Sequence, residues 1–127
     1  MTKPTVIATN AVPAALGPYS QGMRSGPLVF CSGQIPVDPS GNIPATVVEQ
    51  THQSLRNVAA VLEAGGGSLK TTVKTTVFLK NMNDFAAMNE VYATYFPENP
   101  PARSTVEVAR LPRDVLVEIE AIAASER

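Results

Sequence analysis

The sequence of 127 residues contains no tryptophan, one cysteine and one histidine, and it carries almost no net charge. A single cysteine excludes an internal disulfide framework and is typical of a reducing compartment. Ten basic and eleven acidic residues give a net charge of −1, which argues against a general attraction to nucleic acid or acidic membranes. No apolar run approaches the roughly 20 residues of a membrane span, and the N-terminus lacks the apolar core of a signal peptide. We therefore expect a soluble, cytoplasmic protein.

Most of the familiar catalytic motifs are also missing. His52 has no His or Cys partner at ligand spacing, which argues against a zinc site, and no Ser-His-Asp arrangement can be built without it. The glycine run 65–67 follows a predicted helix and is interpreted as its cap, not as a phosphate-binding loop. Cys31 lies within a predicted strand with no histidine to activate it, so we interpret it as a buried structural thiol. The polar side chains left for chemistry are Tyr19, Ser32, Arg103, Glu118 and Glu120.

Hydrophobic periodicity predicts an α+β fold. Segments rich in β-formers, several alternating with period two, indicate strands, and apolar residues at three- and four-residue steps indicate helices. The predicted strands are 5–8, 19–24, 28–35, 73–80, 103–108 and 116–122, and the predicted helices are 45–64 and 84–96. The spacing predicts a buried face on the first helix at Val48, Thr51, Leu55, Val58 and Leu62, and a buried stripe on the second at Phe85, Met88, Tyr92 and Tyr95 or Phe96. This β-β-β-α-β-α-β-β order predicts a single domain over residues 1–127, with a mixed six-stranded sheet and two helices covering one face.

The last two predicted strands, within Pro101–Ala123, are interpreted as a hairpin with its turn at Leu111–Asp114. Matching the apolar rows of the two strands places Arg103 beside Glu120 and diagonal to Glu118. The hairpin interpretation therefore predicts a cation and two carboxylates on the uncovered face of the sheet.

This charged face has an alternative explanation as ordinary surface. Cross-strand Arg–Glu pairs are common on surfaces, where each contributes about 0.2–1 kcal/mol. However, Leu116 and Ile122 belong to the same predicted row, and large apolar side chains are unusual among solvated charges. We therefore expect the face to be buried against a second subunit.

Several segments of the sequence closely resemble the Rid family, the RidA/YjgF enamine and imine deaminases. The resemblance extends in order over nearly the whole chain. The segments that carry it are GPYSQG at 17–22, SGQIP at 32–36, KTTVFLKNMNDF at 74–85, PARSTVEVARLP at 101–112 and VEIEAIA at 117–123. The resemblance implies a chorismate-mutase-like fold and a homotrimer with three sites in clefts between subunits. It also implies hydrolysis of 2-aminoacrylate and related enamines or imines to 2-oxo acids and ammonia, with no cofactor and no metal.

The resemblance also assigns roles to the candidate residues. Arg103 matches the family arginine that grips the substrate carboxylate, and a planar guanidinium can donate two parallel hydrogen bonds to it. Glu118 matches the glutamate that positions or activates the attacking water. Tyr19, Ser32 and Gly33 match positions that line the same pocket. These assignments make Arg103 and Glu118 the expected catalytic pair.

Two further candidate positions lie on the same two predicted strands. Glu120 is interpreted as a supporting residue, one alternate position along the strand from Glu118. Thr105 stands where close relatives often carry cysteine, so we expect it to keep a small polar lining for the substrate without thiol chemistry.

The sequence leaves three alternatives to a deaminase of small imines. One is a deaminase of larger catabolic enamines, because pocket size depends on loops that the sequence does not place. Another is a non-catalytic regulatory module that binds 2-oxo acids. An RNA-directed role has little support in the balanced charge. Chorismate mutase itself is an analogy of fold only. We thus expect a small imino or enamino acid as the partner, and neither nucleic acid nor membrane.

Overall fold

The predicted order of strands and helices is the order found in a computed structural model, which describes residues 3–126. The strands are β1 (Thr5–Ile7), β2 (Gly22–Ser25), β3 (Leu28–Gln34), β4 (Thr72–Leu79), β5 (Ala102–Glu107) and β6 (Val117–Ala124), and the helices are α1 (Val47–Ala64) and α2 (Phe85–Tyr95). The strands form one mixed six-stranded sheet. The prediction of an α+β fold is therefore confirmed.

The sheet has the strand order β1-β2-β3-β6-β4-β5. Its neighbouring strands are antiparallel except β4 and β5, which are parallel and are joined through α2. A parallel pair needs such a crossover connection, and α2 supplies it. The last strand, β6, then returns to the centre of the sheet, between β3 and β4.

The predicted hairpin at the end of the chain is wrong. β5 and β6 are not neighbours, because β4 lies between them. Thr75 on β4 stands opposite both Arg103 and Ala121, so these three residues share the face that the helices cover. Glu118 and Glu120 occupy the alternate positions of β6 and point to the other face. Arg103 and the two carboxylates therefore do not share a face within one chain.

The first helix ends where its sequence predicts and begins two residues later than predicted. The Thr46 hydroxyl accepts a hydrogen bond from the Glu49 amide at 3.2 Å, which satisfies an otherwise unpaired N–H at the helix start. At the other end Gly65 is the C-cap, and Gly66 follows with φ +94°, a conformation that favours glycine. The predicted glycine cap is confirmed. Val48, expected on the buried face, is instead 41% exposed.

The second helix is preceded by a short 3-10 turn. Asn81 caps this turn by accepting a hydrogen bond from the Asn83 amide at 2.9 Å. Of the predicted buried stripe, Met88, Tyr92 and Phe96 are buried. Phe85 is 39% exposed, because it lies at the first position of α2 beside Arg103 and not under the helix.

The hydrophobic core lies between the helices and one face of the sheet. Burial of each large aliphatic side chain there stabilises the fold by about 1.5–3 kcal/mol. Its fully buried members include Leu55, Val58, Leu62, Val77, Leu79, Met88, Val117 and Ile119. The opposite face is open, and Phe30 and Val106 on it are 38% and 40% exposed. Neither helix, nor any other within residues 3–126, is long and apolar enough to cross a bilayer.

Candidate functional site

Glu118 lies half-buried on the open face of the sheet, against the backbone of β3. A Cβ at position 33 would overlap the Glu118 carboxylate, so the carboxylate can approach this closely only because residue 33 is glycine. The pairing of β3 with β6 shifts register between Cys31 and Gln34, and such irregularities often re-aim side chains near functional sites. The sequence at 32–34 therefore shapes a recess for Glu118.

A cavity of about 390 Å³ opens beside this carboxylate. Its lining residues are Tyr19, Ser32, Gly33, Ile35, Pro112, Glu118 and Glu120. The Ser32 hydroxyl donates a hydrogen bond to the Ser20 carbonyl at 2.6 Å, and the Ser32 amide donates to the Gln21 carbonyl at 3.0 Å. These bonds fasten the β1–β2 loop to β3. We call this group of lining residues the Glu118 half.

The environment of Glu118 favours its protonated form. Burial raises the pKa of Glu118 above its usual value, and the nearby charge of Glu120 raises this pKa further. Arg103 of the same chain lies on the other face of the sheet, and it does not contribute to the shift of the Glu118 pKa. A carboxyl group with a raised pKa is a stronger base when ionised, which suits it to general acid–base chemistry.

Arg103 is held by aromatic side chains of α2. Its Cζ lies 4.8 Å from the ring centroid of Tyr92 and 5.6 Å from that of Phe85, which are cation–π distances. Tyr92 is fixed in turn by a hydrogen bond of 2.6 Å between its hydroxyl and that of Thr75. Within residues 3–126 the guanidinium has no hydrogen-bond or ion-pair partner. Its donors are therefore available to a ligand.

A second cavity, of about 410 Å³, surrounds Arg103. Its lining residues are Asn89, Tyr92, Ala93, Phe96, Pro100, Pro101 and Arg103. Two buried polar atoms lack a hydrogen bond among the described residues, Asn89 Oδ1 and Thr105 Oγ1, and Thr105 follows Arg103 on the same face of β5. An unsatisfied buried polar atom costs about 1–3 kcal/mol, so a ligand that supplies a partner is favoured. We call this group, with Thr105, the Arg103 half.

The structure thus brings the predicted site residues together in two groups. Tyr19, Ser32, Gly33 and Glu120 surround Glu118, whereas Arg103 and Thr105 lie across the sheet. A substrate carboxylate bound to Arg103 cannot reach Glu118 of the same chain. Asn89 was not predicted, although an asparagine in the middle of an apolar helix, where it is a poor helix former, was a usable signal.

Comparison with known proteins gives the family. A family model described as endoribonuclease L-PSP matches residues 9–125, and relatives more than half identical align over almost the whole chain. The chain belongs to the RidA/YjgF family. A RutC family protein of Pyrococcus horikoshii is 54% identical over 123 residues, covering 95% of this chain and 98% of that one. The Escherichia coli protein named 2-iminobutanoate/2-iminopropanoate deaminase is 55% identical over 121 residues, with 92% and 94% covered.

Solved structures agree with this membership in the Rid family. The crystal structure of Escherichia coli TdcF with bound serine has a TM-score of 0.92 at 50% identity, covering 96% of this chain and 99% of that one. That of the Escherichia coli YjgF gene product has a TM-score of 0.91 at 54% identity, with 97% and 99% covered. The family model and the deaminase relatives carry different activity names, so they agree on the family and not on one activity.

In this Rid-family chain, Cys31 and His52 lie outside both halves. Cys31 is buried, and burial is the main cause that raises the pKa of its thiol to about 12, so it stays protonated. The predicted burial of Cys31 is confirmed. His52 Nδ1 lies 2.8 Å from the Tyr95 hydroxyl, a hydrogen bond that joins α1 to α2.

Proposed function

We propose that this protein is a homotrimeric deaminase that hydrolyses small 2-imino acids, such as 2-iminopropanoate, to 2-oxo acids and ammonia. The observation that carries the proposal is the division of the predicted site into two incomplete halves. One has an arginine whose donors have no partner within residues 3–126, and the other has a half-buried carboxyl group. The deaminase name of a relative 55% identical supports the reaction. The resemblance to the Rid family supports the trimer.

The two halves become one site if they come from different subunits. An interface between two different patches is head-to-tail, and such contacts close into rings when the rotation allows. A ring of three copies forms three identical clefts, each with Arg103 from one subunit and Glu118 from the next. The half-exposed apolar residues Phe30 and Val106 on the open face are consistent with its being covered in an assembly.

Within this cleft the substrate is held by its carboxylate. The planar guanidinium of Arg103 donates two parallel hydrogen bonds to the two carboxylate oxygens, while the rings of Tyr92 and Phe85 keep it in place. Each charged hydrogen bond contributes about 1.5–3 kcal/mol, mostly to binding and orientation. Thr105 extends the polar lining beside Arg103, and the mechanism needs no thiol at that position.

Hydrolysis then requires one water and one acid–base group. An enamine substrate first tautomerises to the imine, whose C2 is electrophilic. Glu118 removes a proton from the water as its oxygen bonds to C2, and the C=N electron pair moves to nitrogen. Glu118 then returns the proton to nitrogen, which gives a carbinolamine. A second proton passes from the carbinolamine hydroxyl through Glu118 to nitrogen, the C=O bond forms as the C–N bond breaks, and ammonia and the 2-oxo acid are released. An acid–base group in this position contributes about 10²–10⁴-fold to the rate.

A non-catalytic binding module is the second candidate. The Escherichia coli TdcF structure contains bound serine, a small amino acid, which fits a binding module as well as a deaminase. The two candidates differ in turnover. We expect the purified protein to accelerate the conversion of 2-iminopropanoate to pyruvate, measured with a coupled pyruvate assay. Saturable pyruvate binding without acceleration would favour the binding module.

The composite cleft is tested by mixing two inactive variants, Arg103→Ala and Glu118→Gln. The two chains are unfolded together and refolded as a mixture, with each variant refolded alone as the control. Random mixing in a ring gives about a quarter of the sites both intact residues, so about a quarter of the wild-type activity should return. A mixture as inactive as its components, with mixed oligomers shown by native mass spectrometry, would contradict a cleft shared between subunits.

A further inference from the structure

Helix α1 carries a second buried row, and this row is polar. Gln50, Ser54 and Asn57 follow one another at helical spacing, and all three are at most 5% exposed. Polar residues at such spacing normally form a solvated face. Here each side chain instead binds backbone outside the helix. Ser54 Oγ donates to the Gln34 carbonyl at 2.7 Å, and Asn57 Nδ2 donates to the Val37 carbonyl at 2.9 Å.

Gln50 is the member of the row that reaches β6. Its Nε2 donates to the Pro44 carbonyl at 2.9 Å, and its Oε1 accepts a hydrogen bond from the Leu116 amide at 2.8 Å. The Leu116 carbonyl accepts in turn from the Lys80 amide at 3.0 Å. Leu116 is therefore fixed on both sides, two residues before Glu118. The segment that ends at Leu116 connects β5 to β6.

This connection adopts an unfavourable backbone conformation. Arg113 and Asp114 are consecutive non-glycine residues with φ +55° and +56°, in the left-handed region. Such a conformation persists only where surrounding contacts hold it. One such contact is the hydrogen bond of 2.7 Å from Arg110 Nε to Asp114 Oδ1, and the Gln50 side chain is another at the exit of the connection. Pro112, at the tip, lines the cavity beside Glu118.

We propose that Gln50 is a positioning residue for the deamination reaction, acting through the β5–β6 connection on Pro112 and Glu118. This inference rests on the proposed function. Gln50 does not line the cavity, so its role is to position other residues and not to contact the substrate. Without its hydrogen bond to Leu116 the strained connection relaxes, Pro112 moves from the cavity wall, and the attacking water loses its fixed position. Because Arg103 on the other half binds the carboxylate, kcat should fall while KM changes little.

The test uses three variants of the full-length protein. Gln50→Met keeps the length of the side chain and removes both hydrogen bonds. Gln50→Glu keeps an oxygen acceptor for the Leu116 amide. Thr51→Val is the matched control, since Thr51 is fully buried in the same helix and its hydroxyl donates to the Val47 carbonyl of that helix, at 2.7 Å. All three are compared with wild type by kcat and KM for 2-iminopropanoate and by Tm.

We expect Gln50→Met to lower kcat about tenfold or more, because small displacements of a reacting group are costly. KM should stay within about twofold. Gln50→Glu should recover most of the lost kcat, and Thr51→Val should lower Tm without changing kcat. A Gln50→Met variant with reduced Tm and wild-type kcat would make Gln50 purely structural. If Gln50→Met does not fold, Gln50→Asn, too short to span both partners, replaces it.

A second readout separates this inference from the proposed function. The pKa of Glu118, measured by NMR titration, should fall toward its usual value in Gln50→Met, because opening the cavity to water reduces the burial that raises it. Of the neighbouring ionisable groups, Glu120 and Tyr19 lie outside the connection, and Arg113, which belongs to it, is not among the causes of the Glu118 shift. A wild-type protein without turnover would contradict the deaminase proposal alone. A Glu118 pKa in Gln50→Met equal to that of the wild type would overturn the role of Gln50.

Discussion

The Glu118 half and the Arg103 half hold their charged groups in different ways. Glu118 lies against backbone, in a recess that exists because residue 33 has no side chain. Arg103 lies over two aromatic rings, which give way more easily than backbone. Contact with backbone fixes the position of the Glu118 carboxylate closely, as proton transfer requires. Contact with the rings keeps the Arg103 guanidinium near one place and leaves its donors exposed to a ligand. The two halves should therefore respond differently to substitution.

The largest effect is expected in the Arg103 half. Arg103→Ala removes two charged hydrogen bonds to the substrate, so kcat/KM for 2-iminopropanoate should fall about 10²–10⁴-fold, to the limit of the pyruvate assay. Circular dichroism and gel filtration should show an unchanged fold and assembly. Arg103→Lys is the matched control, because it keeps the charge and loses the paired geometry. Wild-type activity in Arg103→Ala would exclude its role as the carboxylate clamp.

Glu118→Gln should reduce kcat about 10²-fold or more, because the amide cannot take a proton from water. Pyruvate binding, measured by calorimetry, should change little, since the carboxylate is bound by the other half. Glu120→Gln is the control, and it should keep most of the activity. Equal losses of turnover and of pyruvate affinity in Glu118→Gln would make Glu118 a binding group.

Gly33→Ala tests the recess directly. The added methyl group overlaps the Glu118 carboxylate, so we expect a loss of about 1–3 kcal/mol in the free energy of unfolding together with reduced kcat. Chemical denaturation of the double variant Gly33→Ala with Glu118→Ala checks the cause. Removing the carboxylate makes room for the methyl group, so the double variant should regain stability relative to Gly33→Ala. Additive losses would mean that the two residues do not compete for space.

The smallest effect is expected on the pKa of Glu118. Its measurement tests whether the two halves meet in one cleft. In a composite cleft the neighbouring Arg103 favours the ionised form of Glu118, so Arg103→Ala should raise the pKa of Glu118 further above its usual value. NMR titration of labelled glutamate carboxyls measures this. Glu118 with a raised pKa binds protons more tightly folded than unfolded, so its contribution to stability falls as pH rises from the usual value through the raised one. Identical Glu118 titrations in both proteins would place Arg103 outside the cleft.

Much of the fold could be predicted because it follows from local pattern. The two helices, the six strands and the cap at Gly65 all depend on residues within a few positions of each other. Strand alternation likewise requires Arg103 and Thr105 to share one face of β5, as they do. The candidate residues themselves came from their chemistry and from the family resemblance.

The failures concern residues distant in the sequence. Gln50 contacts Leu116 across 66 positions, and a polar residue on a helix ordinarily belongs to a solvated face, so its spacing gives no sign of this contact. The predicted hairpin failed for a similar reason. Consecutive strands often pair, yet here the parallel crossover through α2 places β5 at the edge, and β6 fills the position beside β4.

The sequence by itself determined which residues alternate along each strand, where the helices begin and end, and which side chains are available for chemistry. Only the tertiary structure decided which face each alternating row occupies, that Arg103 and Glu118 lie on opposite faces, and that Gly33 admits the Glu118 carboxylate. The physical reason is the separation along the chain of the residues that interact. Alternation and capping are properties of a few bonded neighbours, whereas the choice of a neighbouring strand depends on how the whole chain crosses the sheet.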